Sequence, residues 1–270
     1  MSAPRGKSSL ADPHGAAGNA NTRRGAGHDW ERTLIAYSPY LLKNISATPT
    51  TDLPEPGHTE QQRIKLRLAH DDSRTLQASL LIQKMYATRG YPAKPLERND
   101  MRITIMAYMD DQVVGTVTLN LDSEAGLLAD QLYLEEINQL RAEGKKVCEL
   151  IKLAISPRAD GLRIYSSLLH IAYIYGRRIH GYTDLVLEVV PRHVNFYVKM
   201  LGCKPFGPEK LNPRANDAPA QLLHLPIDYV DAMIDAYGGQ GANAKTRTLY
   251  AHFFSRRDEE GILGRLLRGE

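Results

Sequence analysis

Glu149 opens a run of apolar residues, Leu150, Ile151, Leu153, Ala154 and Ile155. Burial in such a run raises a carboxylate's pKa toward neutrality, where it can accept a proton from an amine. Lys152 follows three places later, and its ammonium could hold a substrate carboxylate, hold Glu149 or stand in water. Two-residue alternation puts the two on opposite faces of a strand, unless a bulge intervenes. Gly161 closes the segment. A helix that starts there presents free amides to an anion, and Arg158 and Arg163 flank it with positive charge. His193, beside Arg192, carries a ring suited to proton exchange at neutral pH. Each group also has a plain structural reading: Glu149 as a strand-edge charge paired with Lys152 or Lys146, and His193 as a polar helix-start residue.

These groups need elements to hold them. Ile64, Leu66 and Leu68 alternate with Lys65 and Arg67 as a strand. Asp71, Asp72 and Ser73 are N-cap candidates for a helix with Leu76, Leu80, Leu81 and Met85 on one face, stopped by Gly90 and Pro92. Met101 to Met109 and Val113 to Leu121 form a hairpin about Asp110-Asp111-Gln112. A helix spans Gln131 to Glu143. Val147 to Ile155 is apolar enough to sit centrally in a sheet. Pro157 breaks it, and a buried helix runs from Gly161 to Ile179, with Arg177 and Arg178 on a solvated face. Leu185 to Val190, His193 to Leu201, Leu222 to Leu225 and Tyr229 to Tyr237 continue as strand, helix, strand, helix. Such a mixed order predicts an α/β (α+β) fold, a mostly antiparallel sheet flanked by helices.

The ends differ in kind. Residues 1–60 read as a disordered arm and linker, poor in large apolar groups, although Trp30 to Leu42 could form a short helix or clasp. Residues 61–237 form the patterned domain. Residues 238–270 form an amphipathic helical tail, with Leu249, Tyr250, Phe253 and Phe254 on one face and Ile262, Leu263, Leu266 and Leu267 on another. Packing on its own domain or a second subunit suits the tail better than resting on a membrane, because its charges are of both signs.

The 270 residues carry a net charge of +3 with no basic stripe, which argues against nucleic acid. Cys148 and Cys203 are the only cysteines, and they give neither a disulfide framework nor a metal motif. With no signal-like or membrane-spanning run, a cytoplasmic place is expected.

Three segments then resemble a known family. Arg158-Ala159-Asp160-Gly161-Leu162-Arg163 resembles the pyrophosphate turn of GNAT acyltransferases, with Arg163 where a small residue is usual. Asn195-Phe196-Tyr197-Val198-Lys199-Met200-Leu201-Gly202 is similar to their Phe-Tyr segment. Glu149-Leu150-Ile151-Lys152-Leu153-Ala154-Ile155 looks like a strand of acyl-homoserine-lactone synthases and of FeeM-like long-chain N-acyl amino acid synthases. Gly115 to Leu119 and Met85 to Tyr91 fit both groups. Gly126 to Tyr133, followed by Leu140-Arg141, fits the second better. Thr118 and Tyr91, where lactone synthases carry arginine and tryptophan, tell against the lactone activity.

The resemblance covers about residues 63–227. It implies a GNAT-like fold and an N-acyltransferase that moves a long fatty acyl chain from acyl carrier protein to an amino acid's amine. The alternatives are a conventional acyl-CoA enzyme, a lactone synthase and a non-catalytic binding module. Glu149, Tyr197 and His193 become candidate catalytic groups, Tyr197 as the acid for the leaving thiolate. Lys152, Thr118, Ala154 and Ile155 become candidates for substrate, the backbone of the last two for the thioester carbonyl. Arg158, Gly161 and Arg163 would face the phosphopantetheine. No metal or permanent cofactor is implied; acyl-phosphopantetheine is the donor substrate. The two arginines also suit an acidic carrier, and assembly into oligomers stays open.

Overall fold

The computed structural model describes residues 35–37, 64–97, 99–157 and 161–268. The strands are β1 (Ile35–Tyr37), β2 (Ile64–Leu68), β3 (Arg102–Met109), β4 (Gln112–Leu121), β5 (Val147–Ile155), β6 (Asp184–Val189), β7 (Lys204–Pro205), β8 (Lys210–Asn212) and β9 (Ala218–Pro226). The α-helices are α1 (Asp72–Ala87), α2 (Asp130–Ala142), α3 (Gly161–Tyr173), α4 (Pro191–Leu201), α5 (Ile227–Tyr237) and α6 (Arg256–Arg268). The sheet order is β1-β2-β3-β4-β5-β6-β9-β7, with β8 on β9. Every pair is antiparallel except β5–β6. This is the mixed, mostly antiparallel sheet flanked by helices that the sequence predicts.

Local chemistry accounts for the main turns. Asp71 caps α1 by accepting from the Arg74 amide at 2.7 Å. Asp110 and Asp111 both take left-handed backbone, φ +51° and +59°, as a tight two-residue hairpin requires. Gly115 lets α3 press onto β4, because a Cβ there would lie 2.7 Å from Ile164 Cγ2.

The sheet has two unlike faces. Val117, Leu119 and Cys148 join the main core with Ile164, Leu168 and Ile171 of α3. On the other face α1 covers Ala154 with Ile82 and Met85, and α2 covers Val147, Val186 and Leu222 with Tyr133 and Ile137.

Several expectations need correction. Residues 35–37 form an edge strand on β2, not a helix; the rest of 1–60 lies outside the described residues. On α1 the buried positions are Ala78, Ser79, Ile82 and Met85, while Leu76 and Leu80 are exposed. The leucines share a stripe of their own, displaced around the helix from the one that meets the sheet. The helix expected to reach Ile179 ends as a π-helix over Ile174–Ile179. Leu249, Tyr250, Phe253 and Phe254 are all buried, but the turn over Leu249–His252 is 3₁₀ rather than α. In α6, Ile262 is buried and Leu267 is exposed. The tail therefore packs on its own domain. Among the described residues no helix is long and apolar enough to cross a membrane.

Candidate active site

The two parallel strands part company early. β5 and β6 pair only over Val147–Glu149 and Asp184–Val186, yet β5 runs on to Ile155 and β6 to Val189. A wedge opens between them, with Glu149 at its apex. The Ser156 amide donates to Val114 O on β4. Alternation then turns the preceding amide, that of Ile155, away from β4 and toward the wedge.

Glu149 is buried, 1% exposed. Its Oε2 accepts from Asn120 Nδ2 at 3.1 Å and from the Leu128 amide at 2.8 Å, while Oε1 has no partner. It pairs with neither Lys152 nor Lys146. Burial pushes its pKa up to about 7, and the nearby Glu188 carboxylate adds to the rise; Asn120 and the amides of Leu128 and Ala129 oppose it. The result is a carboxyl that can exchange protons at neutral pH through a vacant lone pair.

The loop that brings Leu128 to Glu149 is pinned. Arg141 binds Asp122 through Nε and Nη2 at 2.7 Å each, and Asp130 through Nη1 at 2.9 Å and Nη2 at 2.7 Å. Asp130 Oδ2 in turn accepts from the Leu127 amide at 2.7 Å. Gly126 takes the left-handed turn, φ +71°, that starts this return. Arg214 closes the far side, giving Nη1 to Leu128 O at 3.0 Å and Nη2 to Glu188 Oε1 at 2.6 Å.

Lys152 is the bulged residue. Thr116 pairs with Ala154 and Thr118 with Ile151, so Lys152 and Leu153 together oppose Val117. The backbone at Lys152 is left-handed, φ +55°, and its carbonyl accepts from Thr116 Oγ1 at 3.1 Å. For a non-glycine residue this conformation costs about 1–2 kcal/mol. Its Nζ stands 6.0 Å over the ring of Tyr86 on α1. The bulge thus sends Lys152 to the α1 side, which regular alternation would deny it. Burial lowers its pKa, helped by Arg102, Arg214 and Lys94.

Tyr197, on α4, is buried with a raised pKa: burial pushes it up first and Cys203 adds to the rise, while the neighbouring Tyr165 of α3 opposes them. It keeps its proton at neutral pH and can donate it. Burial first, then Tyr197, push Tyr86 up to about 12. Lys152 thus stands by Tyr86, and Tyr86, Tyr197 and Tyr165 lie near enough to affect one another's ionisation.

The remaining candidates separate. Thr118 is fully buried against Thr104, Oγ1 to Oγ1 2.8 Å, and serves the sheet. Ala154 is buried against α1, and Ile155 is half-buried. His193 is exposed in the first turn of α4, its pKa lowered by partial burial, Arg192 and Arg89. Among the described residues no hydrogen bond joins it to Glu149 or Tyr197. Gly161 begins α3 with ordinary backbone, and a Cβ there would meet nothing within 4 Å. Packing of the chain itself does not demand that glycine. Arg163 lies half-buried in the same turn, and Arg158 falls outside the described residues. Sequence reasoning missed Asn120, Glu188, Arg214, Tyr86 and Tyr165. The row Thr116, Thr118, Asn120, polar at every second place of an otherwise apolar strand, was a usable signal for the first of these.

Residues 77–226 match the family described as N-acyl amino acid synthase FeeM. In structure the chain is similar to FeeM, an N-acyl amino acid synthase from uncultured soil microbes. The TM-score is 0.57 at 23% identity, covering 62% of this chain and 93% of that one. It is also similar to the AHL synthase LasI, with TM-score 0.46, 16% identity, and 62% and 91% covered. For Escherichia coli ElaA the values are 0.45, 13%, and 60% and 98%. No curated protein matches the sequence.

Proposed function

The chain belongs to the N-acyl amino acid synthase FeeM family, an acyltransferase family, and on that premise we propose that it moves a long-chain fatty acyl group from acyl carrier protein to the amine of an amino acid. The observation that carries this reading is the unpartnered Oε1 of buried Glu149 at the apex of the wedge.

In this reading the acyl-phosphopantetheine arm enters the wedge from the Gly161 turn, with Arg158 and Arg163 near its phosphate, and lies along the unpaired edge of β5. The substrate amine gives a proton to Glu149, and its nitrogen attacks the thioester carbon. The Ile155 amide donates to the oxyanion; such a donor contributes about 3–4 kcal/mol to the transition state. The carbon–sulfur bond breaks, and Tyr197 passes its proton to the departing thiolate. Lys152 binds the substrate carboxylate, its ammonium held on the α1 side by the bulge. In the same reading His193, exposed beside Arg192 at the start of α4, contributes to carrier docking rather than to proton transfer.

Incubation of the purified protein with palmitoyl carrier protein and mixed amino acids, read by mass spectrometry, is expected to yield an N-palmitoyl amino acid. Absence of any product under every pairing overturns the reading, and faster transfer from palmitoyl-CoA reassigns the donor. Tyr197→Phe is expected to lower kcat by about a hundredfold with KM little changed. The loss should shrink with an aryl thioester, whose thiolate leaves without a proton. An equal loss with both donors would remove Tyr197 from the acid role.

A further inference from the structure

On the face of the sheet opposite Glu149, a cavity of about 40 Å³ lies between β5, β6, α3 and the tail. Its walls are apolar. They include Leu150 and Leu187, which immediately follow Glu149 and Val186, the last paired residues of the wedge. The cavity therefore begins where the strands part. The two tyrosine hydroxyls on its lining are already engaged: Tyr250 donates to Leu201 O at 2.7 Å, and Tyr173 is bound to Asp231 and Arg256. An apolar space of this kind stays dry and takes hydrocarbon.

Tyr250 and Phe253 form its far wall, and both lie beyond residue 226, where the family match ends. That wall is fastened. The Phe254 amide donates to His170 Nδ1 at 2.9 Å, and Thr248 Oγ1 donates to Met200 O at 3.2 Å. The His170 ring is stacked on Phe253 with centroids 4.9 Å apart.

We propose that the cavity receives the far end of the donor's acyl chain, and that Tyr250 and Phe253 set the chain length the enzyme accepts. The proposal rests on the acyl-transfer reading above. Gly176, in the π-helix, faces the same space: a Cβ there would sit 3.5 Å from Leu119 Cδ2 and 3.7 Å from Cys148 Sγ, ordinary contacts that take up room without a clash.

Two variants therefore push in opposite directions, Phe253→Leu enlarging the cavity and Gly176→Ala shrinking it. Each is compared with the wild type on donors from hexanoyl to hexadecanoyl, with binding of the free fatty acids measured in parallel by calorimetry. Phe253→Leu is expected to move the optimum to longer chains and Gly176→Ala to shorter ones. Each methylene gained or lost changes relative kcat/KM about fourfold. Unchanged length profiles in both folded variants overturn the proposal, as does a shift in amino-acid preference with no shift in chain length. If no pairing gives transfer but fatty-acid binding still shifts in length, the cavity assignment stands and the transfer reading fails. Gly176→Ala favours helix, so the test survives a poorly folded Phe253→Leu.

Discussion

Glu149→Gln is expected to lower turnover by about 10²- to 10⁴-fold, the usual worth of a positioned general base, and at the same time to make the protein more stable above neutral pH. The sign follows from the raised pKa. In the folded chain the carboxyl titrates near 7, against an ordinary 4.5. The fold therefore favours the neutral acid: its stabilising contribution is complete below about pH 4.5 and is lost as pH rises through about 7. A tenfold change in proton affinity is worth about 1.4 kcal/mol, which puts an upper bound of roughly 3 kcal/mol on the cost of holding the carboxylate buried at alkaline pH. Glutamine does not titrate. Its oxygen can keep the contacts with Asn120 and Leu128, but its NH₂ takes the position of the unpartnered Oε1, so the gain settles at about 1–3 kcal/mol. Urea unfolding of both proteins at about pH 5 and about pH 8 reads this directly. The gap between them should open with pH. A gap equally wide at both values would mean that Glu149 is not the titrating group. Wild-type kcat/KM should rise about tenfold per pH unit up to about 7 and level off above it, as expected for a base that must be unprotonated.

How far the sequence led depended on how local the cause was. The strand from Val147 to Ile155 and the place of Glu149 in it are written in consecutive apolar residues, and both stand in the structure. Lys152 is a different case. Alternation counts it to the far side, and only the pairing of β5 with β4 creates the bulge that turns it back. Gly126 to Tyr133 with Arg141 carried a family resemblance without a reason. The reason is spatial: Arg141 ties Asp122 to Asp130 so that the Leu128 amide meets Glu149. Arg177 and Arg178, expected on a solvated face, are both engaged instead. Arg177 binds Asp228 and Asp231, and Arg178 binds buried Glu259. Those partners lie more than fifty residues onward, beyond any helical spacing rule. Separation in sequence likewise hides Arg214 from Glu188, 26 residues back, and the tail from the cavity it walls.

That tail carries the second large effect. Glu259, fully buried, meets His170 Nε2 at 3.1 Å, Arg256 Nη1 at 2.8 Å and, by a short contact, Arg178 Nη1. Because His170 Nδ1 accepts from Phe254, the proton of the neutral ring sits on Nε2 and points at the carboxylate. Glu259→Gln replaces the one anion that three donors share with a neutral amide whose NH₂ must face one of them; Arg256 keeps Asp235, but Arg178 loses its carboxylate, and the change is expected to cost about 3 kcal/mol. Burial alone would raise the Glu259 pKa, but His170, Arg256 and Arg178 outweigh it and hold the carboxyl below its ordinary value. Its contribution is thus present above about pH 4.5 and is lost as pH falls through the lower folded value. Burial also depresses His170, whose contribution is present above its ordinary 6.5 and lost as pH falls through the folded value. Both groups weaken the latch on acidification, and in the variant only the histidine part remains. Hydrogen exchange over 227–268 reads the effect where it arises. Exchange there should quicken well before that of β4 and β5, because the broken contacts join the tail to α3 and the π-helix that follows it, not the strands to one another. A variant that loosens this segment also frees the mounting of Phe253 and Tyr250, so its acyl-length profile should broaden rather than shift. Unfolding that stays cooperative, with a loss below about 0.5 kcal/mol, would mean that the tail is held by its apolar contacts alone.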